Sequence, residues 1–284
     1  MSVALYEPPA YTPLASAVRN FSLPHAGTIS IRQHWKEQST GTGGAVWDAA
    51  QVLAEYIDKH HERWKHASTV LELGAGLGYA SIVASRCGFR RVLATDGDAA
   101  LIPMLRSNVA RNVLTESDSV TVEVAPLWWG DEAAFATALP SDARPPDLIM
   151  ASDVIYLGTT AAWSAFLDII ATLCARRRNA YGVATVPASL HWHDGDVSAA
   201  GDPLILLSHT RRFADEELHF ERLAKRRHFE LVTLPPAALP ERYRNGRSML
   251  HELRWRSDGR PLGDGPRVRP TDNHASECTS KSES

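Results

Sequence analysis

The residues best suited to chemistry lie at Glu72-Leu73-Gly74-Ala75-Gly76-Leu77-Gly78. Closely spaced glycines let a backbone turn sharply and bring its amides against a ligand at a helix N-terminus. The spacing is G-x-G-x-G; the third glycine of a dinucleotide fingerprint would fall at position 79, which is Tyr79, so the nicotinamide pattern is not met. Glu72 sets a carboxylate at the end of a strand, where it either answers a ligand amino group, directly or through water, or serves as a structural carboxylate. Asp96 follows at the end of the next strand and offers two acceptor oxygens to the hydroxyls of a ribose. Asp98 is its rival for that role, or a helix cap.

A second group sits at Asp147-Leu148-Ile149-Met150-Ala151-Ser152-Asp153-Val154-Ile155-Tyr156, apolar until Ser152 and then presenting an acid and a tyrosine. In open α/β sheets the ligand crevice lies outside the carboxyl ends of the strands. By themselves Asp153 reads as a loop or cap residue and Tyr156 as core. Trp47 and Trp129 are candidates to flank a ring or an acceptor channel, against the ordinary packing role of tryptophan. His191-Trp192-His193-Asp194 has metal-ligand residue types but no third well-spaced ligand, and no metal site is assigned. Arg176 to Arg178 reads as a solvated run that complements a helix C-terminal dipole.

The elements that must position these groups alternate. Val46, Ala49, Ala50, Leu53, Tyr56 and Ile57 recur at helical spacing. Thr69–Leu73, the glycine turn, Tyr79–Cys87 and Arg91–Thr95 form a strand-helix-strand unit. A helix carrying Leu101, Met104, Leu105 and Val109, strands at 120–124 and 148–151, a helix at 163–173, a strand at 204–207, a helix at 216–227 and a strand at 229–234 follow. Strands alternating with helices imply an α/β fold on a parallel sheet. Residues 1–27 read as an N-terminal tail, 28–255 as one domain and 256–284 as a polar tail too poor in apolar residues to order itself.

The chain has 284 residues, 44% apolar and 22% charged, enough for one sizeable core. A formal net charge of −3 gives no long-range attraction for a phosphate backbone, which makes nucleic acid an unfavoured partner. Three cysteines, far apart and odd in number, supply neither a disulfide framework nor a CxxC zinc pattern. No segment approaches the roughly 18 apolar residues that span a bilayer, and no leader pattern opens the chain. The expectation is a cytoplasmic or nuclear protein with no membrane partner; its oligomeric state is not predicted.

In this order the pieces resemble the methyltransferase-like protein-lysine methyltransferases, a class I, seven-β-strand group that uses S-adenosyl-L-methionine. The marks are GGAVWDAAQVLAEYI at 43–57, VLELGAGLGYASIVAS at 70–85, ATDGD at 94–98, Asn108 and Asn112, WWG at 128–130 and DLIMASDVIY at 147–156. The resemblance implies a Rossmann-like seven-stranded sheet with helices on both faces and a protein substrate methylated on lysine. It further implies that Trp47, Glu72, Gly74, Gly76, Gly78, Asp96, Trp129 and Ser152 line the cofactor, and that Asp153 and Tyr156 form a catalytic D-x-x-Y element. Against that pattern, residues of about 176–202 read as an insertion. A nucleic-acid amino-methyltransferase would carry N/D-P-P-Y/F where this chain has Ser152-Asp153-Val154-Ile155-Tyr156. A small-molecule methyltransferase and a cofactor-binding interaction module without turnover stay open as alternatives.

Overall fold

A computed structural model of the chain describes residues 16–34, 41–64, 69–113, 120–155, 159–181 and 202–256. A two-stranded hairpin, β1 (Val18–Leu23) and β2 (Gly27–Arg32), precedes helix α1 (Asp48–Lys59). Then come β3 (Thr69–Leu73), α2 (Tyr79–Arg86), β4 (Arg91–Asp96), α3 (Ile102–Asn112), β5 (Thr121–Pro126), α4 (Glu132–Ala138) and β6 (Leu148–Ser152). The series continues with α5 (Thr160–Tyr181), β7 (Leu204–Thr210), α6 (Ala214–Arg226), β8 (Phe229–Thr233) and β9 (Ser248–Trp255). Seven strands form one sheet in the order β5-β4-β3-β6-β7-β9-β8. It is the α/β sheet that the resemblance implies.

β3 is buried at all five positions, as a central parallel strand covered on both faces must be. Alternation along the strands sorts side chains into two cores. Val70, Val92 and Met150 pack with α1, α2 and α3 on one face, whereas Leu71, Leu93 and Ile149 pack with α5 and α6 on the other. From α5 alone, Phe166, Leu167, Ile170 and Leu173 are buried, each worth about 1.5–3 kcal/mol of transfer free energy. β3 pairs in parallel with β4 on one side and β6 on the other. The chain runs outward through β4 to β5 and returns to β6, which places the reversal of strand order at the carboxyl ends of β3 and β6. β9 runs antiparallel between β7 and β8.

Three features depart from the sequence reading. β1 falls inside the expected 1–27 tail; only Phe21 of its six residues is buried, too little alternation to reveal a strand. α5 extends beyond 163–173 to Tyr181, so 176–181 of the expected insertion are helix, and 182–201 lie outside the described residues. The arginine run is not a solvated face either. Arg177 is 1% exposed and bonds to the Asp147 carboxylate at 2.8 Å, while Arg178 pairs with Asp202. Of the expected C-terminal tail only Arg256 is described, and His191–Asp194 are outside the described residues. No helix among the described residues is long and apolar enough to cross a membrane.

The hairpin is docked by side chains that behave as a missing strand. Asn108 accepts the Arg32 N–H at 2.9 Å and donates to the Arg32 carbonyl at 3.1 Å. One helical turn later Asn112 does the same for Ser30, at 2.8 and 2.9 Å. An i, i+4 pair on a helix face thus matches an i, i+2 pair on a strand face, and part-buried backbone groups of β2 gain partners.

Candidate functional site

A cavity of about 720 Å³ opens at the carboxyl ends of β3, β4 and β6, a volume suited to a nucleotide-sized ligand. Its floor is the glycine loop between β3 and α2. Gly74 has φ +74°, and a Cβ there would lie 3.2 Å from Val154 Cγ1 and 3.4 Å from Trp129 Cζ2. Gly76 has φ +54°, and a Cβ would meet the Gly43 carbonyl at 3.3 Å. Only glycine takes these backbone angles without strain, and the missing side chains leave the loop open to a ligand. Gly78 instead caps α2 in the left-handed region, where a Cβ would run into Leu105 of α3. It does not line the cavity.

Asp96, the last residue of β4, holds this loop. Its carboxylate accepts the Gly76 N–H at 2.8 Å through one oxygen and the Asp98 N–H at 2.9 Å through the other. Burial raises its pKa, and the backbone donors offset only part of the rise. Asp98 also lines the cavity, but its Oδ1 accepts the Ala100 N–H at 2.9 Å, the behaviour of a cap. Glu72 stands apart from both. It is 1% exposed, accepts a hydrogen bond from Ser81 Oγ of α2, and is not among the residues lining the cavity. Burial pushes its carboxyl up to about 8, so at neutral pH it is largely protonated. The expected answer to a ligand amino group therefore has no direct path here; Glu72 fastens β3 to α2 beneath the loop.

The cavity is also lined by Trp47, Ser152, Asp153 and Arg212. Trp47 precedes α1, and its Nε1 donates to the Thr42 carbonyl at 2.7 Å. Ser152 ends β6 opposite Ser208 of β7. Asp153 then turns with φ 57°, an angle uncommon for a residue with a side chain and one that concentrates at functional sites. Its N–H donates to the Ser208 carbonyl at 2.8 Å, and its Oδ1 accepts the Thr210 N–H at 3.1 Å. Arg212 Nη1 and Nη2 donate to the two carboxylate oxygens at 2.8 and 2.7 Å. Trp129 closes the wall, packed on Phe166 with centroids 5.0 Å apart.

Of the ten residues singled out in the sequence, Trp47, Gly74, Gly76, Asp96, Trp129, Ser152 and Asp153 line one cavity, Glu72 and Gly78 support it from behind, and Tyr156 lies outside the described residues. Trp128 and Arg212 are lining residues that carried no assignment. Trp128, 67% exposed, adjoins Trp129 in the WWG segment. Arg212 lies two residues past β7, and its place at the same carboxyl edge was the available signal.

Comparison with known proteins follows the same lines. Residues 26–185 match a protein family described as lysine methyltransferase. The chain is 38% identical over 146 residues to the protein N-lysine methyltransferase METTL21A of Mus musculus, covering 51% of this chain and 60% of that protein. It is 34% identical over 116 residues to the protein N-terminal and lysine N-methyltransferase efm7 of Aspergillus fumigatus, covering 40% and 45%. Among solved structures it is similar to the 16S rRNA N2 G1207 methyltransferase RsmC of T. Thermophilus in complex with AdoMet and guanosine. That match has a TM-score of 0.49 and 17% identity, and covers 86% of this chain and 52% of that one. The chain thus spans about 60% or less of the length of these curated relatives.

Proposed function

Because the chain belongs to the lysine methyltransferase family, we propose that it transfers a methyl group from S-adenosylmethionine to the side-chain amine of a lysine in a protein substrate. The relative in Mus musculus is named for a protein lysine acceptor. The observation that carries the reading to this chain is the continuous cavity running from the Gly74–Gly76 loop and Asp96 to Asp153.

The residues fit the cofactor. Left-handed glycines clear a cradle that a Cβ would narrow, Asp96 offers its two oxygens to the ribose, and Trp129 and Trp47 wall the cavity. When bound, S-adenosylmethionine supplies a methyl already activated by its sulfonium, so the chain's residues have to orient the acceptor and exclude water. Orientation of this kind contributes about 7–11 kcal/mol. The acceptor amine must also be neutral. A lysine with pKa near 10.4 pays roughly 4–5 kcal/mol for that at neutral pH, and a channel partly shielded from water reduces the cost. Asp153 orients the incoming amine, and Tyr156 completes the same element. The three widely spaced cysteines suit a reducing compartment, cytoplasm or nucleus.

The test incubates purified protein with methyl-labelled S-adenosylmethionine and a methylation-poor cell extract, comparing wild type with Asp153→Ala. A discrete labelled protein band in wild type alone is expected, with labelled lysine after hydrolysis. Label confined to small molecules, or no transfer despite cofactor binding, sinks the proposal.

A further inference from the structure

Arg212 does inside this chain what a substrate arginine would do. Its guanidinium forks onto both oxygens of Asp153 at 2.8 and 2.7 Å, and its central carbon lies 5.4 Å from the centre of the Trp47 ring. Bidentate pairing with a carboxylate and stacking on an aromatic face are the two contacts by which proteins recognise guanidinium. Both partners line the cavity, and the side chains of Arg212 and Asp153 are 20% and 10% exposed. The guanidinium also donates to the Thr210 carbonyl at 3.3 Å, which anchors it to the end of β7.

We propose that Arg212 is a specificity-determining positioning residue: it fills the Asp153–Trp47 cradle with an internal guanidinium, fixes the Asp153 carboxylate, and leaves room only for an amine beside it. The inference rests on the methyltransferase reading and narrows its acceptor to lysine-type amines, excluding guanidinium acceptors. Lysine at position 212 would keep the charge, but it lacks the fork and cannot hold both oxygens.

The experiment uses Arg212→Ala and Arg212→Lys with ethylguanidinium as the probe. In the presence of S-adenosylhomocysteine, calorimetry should detect ethylguanidinium binding to Arg212→Ala and none to wild type. S-adenosylhomocysteine itself should bind all three proteins equally, and melting temperatures report that each is folded. In turnover on the protein band that wild type labels in the methylation-poor extract, Arg212→Ala should lose at least ten-fold in initial rate and regain at least five-fold with ethylguanidinium; Arg212→Lys should be impaired and not rescued. Unchanged turnover in Arg212→Ala, loss of S-adenosylhomocysteine affinity, or absence of ethylguanidinium binding overturns the inference. Should Arg212→Ala not fold, full activity in Arg212→Lys overturns it and impaired activity with normal S-adenosylhomocysteine binding supports it. A wild type without any acceptor activity would instead refute the methyltransferase reading, because the binding arm is read without turnover.

Discussion

Removing the Asp96 carboxylate separates the ligand end of the cavity from its scaffold. In Asp96→Ala the Gly76 and Asp98 N–H groups lose the acceptor they reach at 2.8 and 2.9 Å. Each hydrogen bond to a charged group is worth about 1.5–3 kcal/mol. Water entering the cavity replaces part of this, and folding stability should fall by only about 1–2 kcal/mol. Under the proposed function, cofactor affinity should fall further, because the same change removes both acceptors offered to the ribose and loosens the loop beneath it: about 3–5 kcal/mol, roughly two to four orders of magnitude in Kd. Asp96→Asn keeps one acceptor and turns an amide donor toward one of the two N–H groups, with a loss of about 1.5–3 kcal/mol. Asp98→Ala is the control. It removes one cap bond, to Ala100, at a cost of about 0.5–2 kcal/mol in stability with unchanged affinity. Titration calorimetry with S-adenosylhomocysteine reads all three. Wild-type affinity in Asp96→Ala, or a large loss confined to Asp98→Ala, would transfer the ribose role to Asp98 and refute the reasoning.

Glu72, held up at about 8 by burial, keeps a proton that the unfolded chain releases above about 4.5. Its contribution is complete below that pH and is lost as pH rises toward 8, by up to about 1.4 kcal/mol per pH unit. Urea unfolding should therefore show Glu72→Gln gaining on wild type from pH 5 to 8 with cofactor affinity unchanged; a pH-independent gap contradicts this. His251 behaves in the opposite sense. Burial and the neighbouring His209 push it down to about 3, so the unfolded chain takes up a proton near pH 6.5 that the folded chain refuses. Stability present above that pH is lost as pH falls toward 3, again at up to about 1.4 kcal/mol per pH unit, and unfolding at pH 4–6.5 should show His251→Gln relieved of this acid dependence. Asn108→Ala should destabilise the chain by about 1–3 kcal/mol, since the part-buried Arg32 N–H and carbonyl lose both partners; a fall in melting temperature of less than a degree would remove Asn108 from the hairpin's support.

What was legible in the sequence was whatever a local pattern forces. Val70, Leu71 and Leu73 of Thr69–Leu73, directly ahead of glycines at alternate positions, mark a buried strand and a turn, so β3 and its loop could be read directly. What escaped depends on partners distant in sequence. Arg177 in isolation is one of three exposed-looking arginines; it is buried because Asp147, 30 residues earlier, meets it under the sheet. Glu72 stands next to the glycine loop, yet strand alternation and the Ser81 hydroxyl turn its carboxyl away from the cavity. Asn108 and Asn112 were visible only as marks of a resemblance, and their role needs β2 beside α3.

The sheet order also dictates how the cavity's work is divided. β3 lies between β4 and β6, so the carboxylates that follow those two strands flank the glycine loop from opposite sides. Neighbouring strands are about 4.8 Å apart, which puts the ends of β4 and β6 about 10 Å from one another. Under the proposed function that separation assigns Asp96 to the cofactor ribose and Asp153 to the acceptor amine. Each is also held by a different kind of partner: Asp96 by backbone amides of the loop, Asp153 by the Arg212 guanidinium and the Thr210 amide. Backbone amides belong to every residue, whereas the guanidinium is one side chain, so a substitution at position 212 alone changes what holds Asp153. Under the proposed function, the Asp96 end would hold the cofactor that every turnover shares and the Asp153 end the acceptor.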